Sequence, residues 1–159
     1  MAQISHGPVR IRPYQPTDAA STRDLFQTTV HRINVADYTP TQIEAWAKRP
    51  VSMVAWHESL MAHTTMVAVD AAGTILGFAD MAADGYLDRL FISYLHQRQG
   101  YASALLEALE RTVPSSRYYT YASITALPFF EAHGFVVLRP NIATIGEIEF
   151  RNYLMEKAK

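Results

Sequence analysis

Between Ala19 and Ile33 the apolar side chains Leu25, Phe26, Val30 and Ile33 recur at the spacing of one helix face, and Pro16-Thr17-Asp18 just before them supplies an N-cap. The alternating Val9-Arg10-Ile11-Arg12 ahead of that predicts a short strand. A second helix is expected from Thr39-Pro40-Thr41-Gln42 to about Lys48: Thr39 can cap, Pro40 suits the first helical position, and Gln42 can reach back as in a capping box. Trp46 lies on its apolar face, and Met53 to Leu60 adds a further helical turn or two.

From Thr64 the period changes to two. Thr64 to Val69 and Thr74 to Met81 read as a hairpin around a turn at Asp70 to Gly73, and Tyr86 to Ser93 follows as a third strand after Asp84-Gly85. Ala104, Leu105 and Leu109 then mark an amphipathic helix that stops before Pro114. Tyr118 to Ala122 is strand-like, Ser123 to His133 is expected to be a helix closed by Gly134, and Phe135 to Leu138 and Glu147 to Met155 complete the strands. The order predicts an α/β protein of α+β type, a largely antiparallel sheet with helices inserted.

At 159 residues, with 49% hydrophobic and 18% charged content, residues 1–159 are expected to form one packed domain. A net charge of −1 and a pI near 6.6 give no electrostatic footprint for nucleic acid. The absence of cysteine excludes disulfides, thiolate metal sites and an acyl group carried on an enzyme thiol. Met1 to Val9 lacks an apolar leader stretch, and the run Leu87 to Leu95 is too short and too interrupted to span a bilayer, so a soluble, cytoplasmic protein without membrane association is expected.

Chemistry concentrates after the third strand of the period-two region, in Gln97-Arg98-Gln99-Gly100-Tyr101-Ala102-Ser103. A loop with one glycine feeds directly into a helix whose first N–H groups are unpaired and carry the positive end of the helix dipole, an arrangement suited to a pyrophosphate. Gly100 permits close approach of the backbone to a ligand, and Ala102 and Ser103 keep the helix start small. Neither the Gly-Lys-Ser/Thr of a Walker site nor a three-glycine dinucleotide fingerprint is present.

Gln97-x-x-Gly100-x-Ala102 resembles the Q/R-x-x-G-x-G/A signature of the GNAT superfamily, the GCN5-related N-acetyltransferases. The stretch Ser123-Ile124-Thr125-Ala126-Leu127-Pro128-Phe129-Phe130-Glu131-Ala132-His133-Gly134-Phe135 resembles that superfamily's N-x-x-A-x-x-F-Y-E-x-x-G-F ending, and with Ile11-Arg12 through Asp18 the match covers nearly the whole chain. Ala122 to Glu131, together with Tyr38-x-Pro-x-Gln42-x-x-x-Trp46, looks most like the YafP-like branch. The resemblance implies a mixed, largely antiparallel sheet splayed between its fourth and fifth strands, with helices on both faces and a V-shaped slot for the pantetheine arm of acetyl-CoA. Leu90, Phe91 and Ile92 would line the slot, with a backbone N–H on that strand polarising the thioester carbonyl. Gln97, Arg98, Gln99, Gly100, Tyr101, Ala102 and Ser103 would hold the pyrophosphate, and Ser123, Phe129 and Phe130 would complete the coenzyme site.

Two positions depart from the family pattern. Ser123 stands in the usual Asn slot, and Phe130 stands where a Tyr often protonates the leaving thiolate. Another group then serves as acid, or water does. Strand alternation places Tyr86, Asp88 and Leu90 on one face. The resemblance implies that this face points toward the acceptor cleft, where members of the superfamily often carry a carboxylate, so Asp88 is the leading candidate for the base that deprotonates the amine, against a role in pairing a cation or orienting substrate. Tyr38 is the second catalytic candidate, set against a surface tyrosine capping a turn.

Other residues read more plainly. Trp46 is a packing residue, Asn152 and Tyr153 are structural, and the histidines lack a close ligand pair, so no metal site is expected; His133 suits a helix C-terminus. Arg98 meets a phosphate or only solvent. The run Tyr118-Tyr119-Tyr121 reflects strand propensity and leaves a homodimer open. The function expected is acetyl-CoA-dependent N-acetyl transfer to an amine of a small-molecule acceptor; acylation of a protein N-terminus or lysine, and coenzyme A binding without turnover, are the alternatives.

Overall fold

In the computed structural model, which describes residues 9–48 and 51–159, seven strands form one sheet. The segment 1–8, which carries most of the stretch read above as lacking a leader, lies outside the described residues. The strands are β1 (Arg10–Pro13), β2 (Thr64–Val69), β3 (Ile75–Met81), β4 (Tyr86–Ile92), β5 (Arg117–Ser123), β6 (Val136–Ile145) and β7 (Ile148–Ala158), in the order β1-β2-β3-β4-β5-β7-β6. All neighbours are antiparallel except β4 and β5. The helices are α1 (Ala19–Arg32), α2 (Pro40–Ala47), α3 (Met53–Met61), α4 (Tyr101–Thr112) and α5 (Leu127–Ala132).

Side-chain alternation divides the core into two layers. Val67, Val69 and Phe78 pack with Leu25, Val30, Ile43 and Trp56 of α1 to α3, whereas Ala68, Ala79 and Met81 pack with Leu105, Leu106, Leu109 and Phe130 of α4 and α5. The central strands are covered on both faces, so their sequences read as apolar runs. Local signals act as expected: Thr39 Oγ1 accepts from Gln42 N at 3.2 Å while Gln42 Oε1 accepts from Thr39 N at 2.9 Å, closing the capping box of α2. At the other end of the fold the buried Tyr118 hydroxyl lies 3.0 Å from the carbonyls of Glu110 and Val113, giving a partner to the C-terminal turn of α4.

Three expectations are corrected. The helix expected over Ser123 to His133 is only Leu127–Ala132: Ser123 continues β5 opposite Asn152, and its hydroxyl accepts from Ala126 N at 3.1 Å in a turn that delays the helix until Pro128 can occupy its first turn. The final strands extend well beyond Leu138 and Met155. A register shift between Val137 and Arg139 absorbs Leu138, and the edge position of β6 tolerates Pro140, which cannot donate to a ladder.

The third correction bears on the site. Asp80 faces Arg89 across the β3–β4 ladder but Met81 faces Leu87, so Asp88 is an extra residue in a β-bulge. Leu90 therefore turns with Leu87 and Ile92 toward α4, and Asp88 stays with Tyr86 and Arg89 on the opposite side. Tyr86, Asp88 and Leu90 do not share one face.

Candidate active site

β4 and β5 pair at Tyr86 with Tyr119 and at Leu87 with Thr120, where Thr120 Oγ1 donates to the Leu87 carbonyl at 2.8 Å; among the described residues they pair no further. The strands part beyond this point, and the gap widens into a cavity of about 540 Å³. Leu90, Phe91 and Ile92 line it from β4, Tyr121, Ala122 and Ser123 from β5, Phe129 and Phe130 from α5, and Gln97 to Ser103 from the loop and the start of α4. All the residues expected to hold coenzyme A are thus brought together.

The loop owes its shape to two left-handed residues, Arg98 (φ 59°) and Gly100 (φ 85°). A Cβ at Gly100 would meet no atom within 4 Å, so the requirement there is conformational and the space in front of it is open. Gln97 Nε2 donates to the Ile92 carbonyl at 2.7 Å and lies 3.2 Å from that of Ser93, tying the loop to the end of β4. Gly100 is the N-cap of α4 and provides no side-chain cap, leaving the first-turn amides for a ligand. Geometry and chemistry both suit an anion.

Beyond the cavity's β4 wall lies a polar cluster that the sequence reading did not assemble. Asp80, fully buried in an otherwise apolar strand, accepts from Arg89 Nε at 2.9 Å and Arg89 Nη2 at 2.6 Å, and its Oδ2 lies 2.8 Å from His63 Nδ1. Arg89 also donates to Ser59 Oγ at 3.0 Å and stacks over Trp56 at 5.0 Å. A buried carboxylate requires such pairing, and Asp80 within the apolar run of β3 was the signal that a cation must face it. Asp88 stands at the edge of this cluster with its side chain 38% exposed, lining the cavity. Burial and the nearby Asp80 charge push its carboxyl above the ordinary value. The hydrogen bond to Asp80 raises His63 as well. His63, Asp80 and Asp88 offer ligand atoms within 4.8 Å of one another, a grouping that sequence spacing did not show; both oxygens of Asp80 already receive N–H donors from Arg89.

Tyr38 is buried rather than on the surface. Its hydroxyl donates to the Arg151 carbonyl at 3.1 Å and accepts from Ile124 N at 3.0 Å, and its ring packs on Trp46 and Phe150. This joins α2, β7 and the turn after β5, and burial raises the phenol despite the opposing Ile124 N–H. Trp46 packs as expected and also lines the cavity. Phe130 is a core residue, edge-on to Phe129 and Phe135 at 5.2 Å and 5.1 Å. Asn152 accepts from Asn141 Nδ2 across the β6–β7 ladder at 2.8 Å, a structural contact.

The model of the acetyltransferase (GNAT) domain matches residues 34–156. The chain belongs to the GNAT acetyltransferases. N-acetyltransferase YafP of Escherichia coli K12, itself described as uncharacterized, is 35% identical over 147 residues, 92% of this chain and 94% of that one. A GCN5-related N-acetyltransferase structure from Rhodopseudomonas palustris superposes with a TM-score of 0.91 at 25% identity, over 99% of this chain and 100% of that one. The PaiA N-acetyltransferase of Thermoplasma acidophilum, solved with coenzyme A, shares the fold with a TM-score of 0.74 at 18% identity, over 96% and 99% of the two chains. This GNAT chain is accordingly an acyltransferase of the acetyl-CoA-dependent N-acetyltransferase kind. Among its described residues, no helix is long and apolar enough to cross a membrane.

Proposed function

We propose that the chain transfers an acetyl group from acetyl-CoA to the amine of a small-molecule acceptor by direct attack while both are bound, with Asp88 as the base. The observation that carries this reading is that one cavity is lined both by the Gln97 to Ser103 loop and, at the opposite end of its β4 wall, by Asp88. Four residue steps of strand separate Asp88 from Ile92, about 13 Å at the usual rise, leaving room for an extended arm between anchored phosphates and the reacting carbon.

An ammonium acceptor gives one proton to Asp88, whose raised pKa makes it a more effective base near neutrality. The freed nitrogen adds to the thioester carbonyl carbon, and a β4 backbone N–H stabilises the oxyanion. The C–S bond then breaks, the nitrogen loses its second proton through water, and the thiolate is protonated from water because Phe130 has no proton to give. Tyr38, with its hydroxyl committed to Arg151 and Ile124, acts by holding the α2 wall of the acceptor side. Tyr121, 38% exposed and edge-on to Tyr86 at 6.0 Å, offers an apolar surface to the body of the acceptor. A net charge of −1 gives no overall electrostatic attraction for a basic peptide.

The test is release of free thiol from acetyl-CoA with a panel of small primary amines, peptide N-termini and lysine peptides, with products identified by mass. Acetylation of small amines supports the proposal. Turnover with peptides alone overturns the acceptor class, and coenzyme binding without release with any amine overturns turnover.

A further inference from the structure

Ser103, in the first turn of α4, lines the coenzyme cavity, and its hydroxyl lies 2.7 Å from Nε2 of His133. The other ring nitrogen of His133, Nδ1, lies 2.8 Å from the Phe129 carbonyl, and the ring stacks on Phe129 with centroids 4.1 Å apart. A carbonyl can only accept, so Nδ1 must carry a proton in either charge state of the ring. In neutral His133, Nε2 is therefore the bare nitrogen, and the Ser103 hydroxyl must donate to it. Only lone pairs of Ser103 then face the cavity. In protonated His133 the bond reverses: Nε2–H donates to Ser103 Oγ, and the serine proton is released to a ligand.

We infer that His133 is a positioning residue for the coenzyme pyrophosphate, setting through its protonation whether Ser103 can donate a hydrogen bond to a phosphate oxygen. This rests on the proposed placement of the pyrophosphate at the start of α4. A phosphate diester offers only acceptors, so it opposes the lone-pair state of Ser103 and favours the donating one. By linkage, coenzyme binding draws a proton onto His133, and affinity is higher with the ring charged than with it neutral. Other titratable or charged groups on the surrounding elements are His96, which lines the same cavity with its ring 6.4 Å from that of Tyr101, Glu107, one turn beyond Ser103 on α4, Glu131 on α5, Arg98 in the loop, and Lys157 of β7, which lies against Gly134 and pairs with Glu110 at 3.0 Å. None of these can replace the imidazole in the bond to Ser103, because that contact is made by His133 Nε2 itself.

The experiment is titration calorimetry of the whole chain with 3′-dephospho-coenzyme A, which keeps the pyrophosphate but lacks the phosphomonoester that titrates in the same range. Affinity is measured between about pH 5 and 8, where histidine changes charge, in buffers of different ionisation enthalpy so that proton uptake is read directly. The wild-type chain should bind about three- to tenfold more tightly at the acid end, the effect of one hydrogen bond gained, with net proton uptake at intermediate pH. Ser103→Ala and His133→Phe should each abolish both the pH dependence and the uptake. His133→Phe keeps a ring against Phe129 and frees the Ser103 proton at every pH, so its affinity at pH 8 should equal or exceed that of the wild type. A purely structural His133 would instead make that variant weaker across the whole range, and this result overturns the inference. PH-independent wild-type binding overturns it too while leaving the coenzyme site intact, whereas failure of dephospho-coenzyme A to bind at any pH removes the coenzyme site and the inference together.

Discussion

The Asp88 carboxylate stands 4.0 Å from Nδ1 of His63, near enough for their charges to be coupled and too far for a direct hydrogen bond. The β-bulge sets this distance by turning Asp88 out of the ladder toward the cavity, while His63 stays anchored on buried Asp80. Asp88 thereby faces the cavity, whereas both oxygens of Asp80 are taken by Arg89.

Replacing Asp88 with Asn keeps its shape and removes its basicity. Asp88→Asn should lower kcat by about 10²- to 10⁴-fold with acetyl-CoA affinity nearly unchanged. In the wild type, the rate should fall as pH is lowered through the carboxyl's raised pKa, placing the acid limb above the ordinary value of about 3.9; the variant should lose that limb. Pre-steady-state rates across pH check this, and a loss confined to acceptor KM would make Asp88 an orienting group.

Because the folded state raises the His63 pKa above 6.5, the fold favours the protonated ring. The resulting stability is fully present below the unfolded value and is lost as pH rises through the folded one. His63→Ala should therefore lower Tm most at acidic pH, through loss of a charge-assisted bond of about 1.5–3 kcal/mol, and the gap should narrow at alkaline pH, where the neutral ring keeps only one N–H to donate to Asp80. A gap that widens with rising pH would contradict the assignment of the Asp80 contact.

Phe130→Tyr restores the hydroxyl commonly found at this position in the family. Since Phe130 packs in the core against Phe129 and Phe135, the hydroxyl should cost about 1–3 kcal/mol in stability if it finds no partner. Turnover should change less than tenfold, about 1.4 kcal/mol in the barrier. A larger rise would show that thiolate protonation limits the reaction.

Much of the fold was legible because each local signal agreed with the global one: the Thr39–Gln42 capping box, the period-two run from Thr64 and the break at Pro114 all mark observed boundaries. The coenzyme loop was legible because its chemistry is local in sequence. Asp80, Arg89 and His63 were not brought together, since their contacts span 9 and 17 positions and depend on strand register and on where α3 ends. The bulge was equally hidden: alternation predicts faces only for a regular strand, and one extra residue turned Leu90 away from Asp88. Pro140 hid the length of β6 because whether proline fits depends on being at the sheet's edge, a property of topology.

Binding of acetyl-CoA at the Gln97 to Ser103 loop is the claim on which the rest depends, and Gly100→Glu tests it most directly. The substitution places a side chain at a left-handed position, costing about 1–2 kcal/mol, and points a carboxylate into the open space before the α4 amides. Gly100→Ala controls for the backbone cost, as its Cβ meets nothing within 4 Å. Calorimetry on variants that retain the wild-type circular dichroism spectrum should show acetyl-CoA binding to Gly100→Ala but none detectable to Gly100→Glu; wild-type affinity in a folded Gly100→Glu chain would contradict the account.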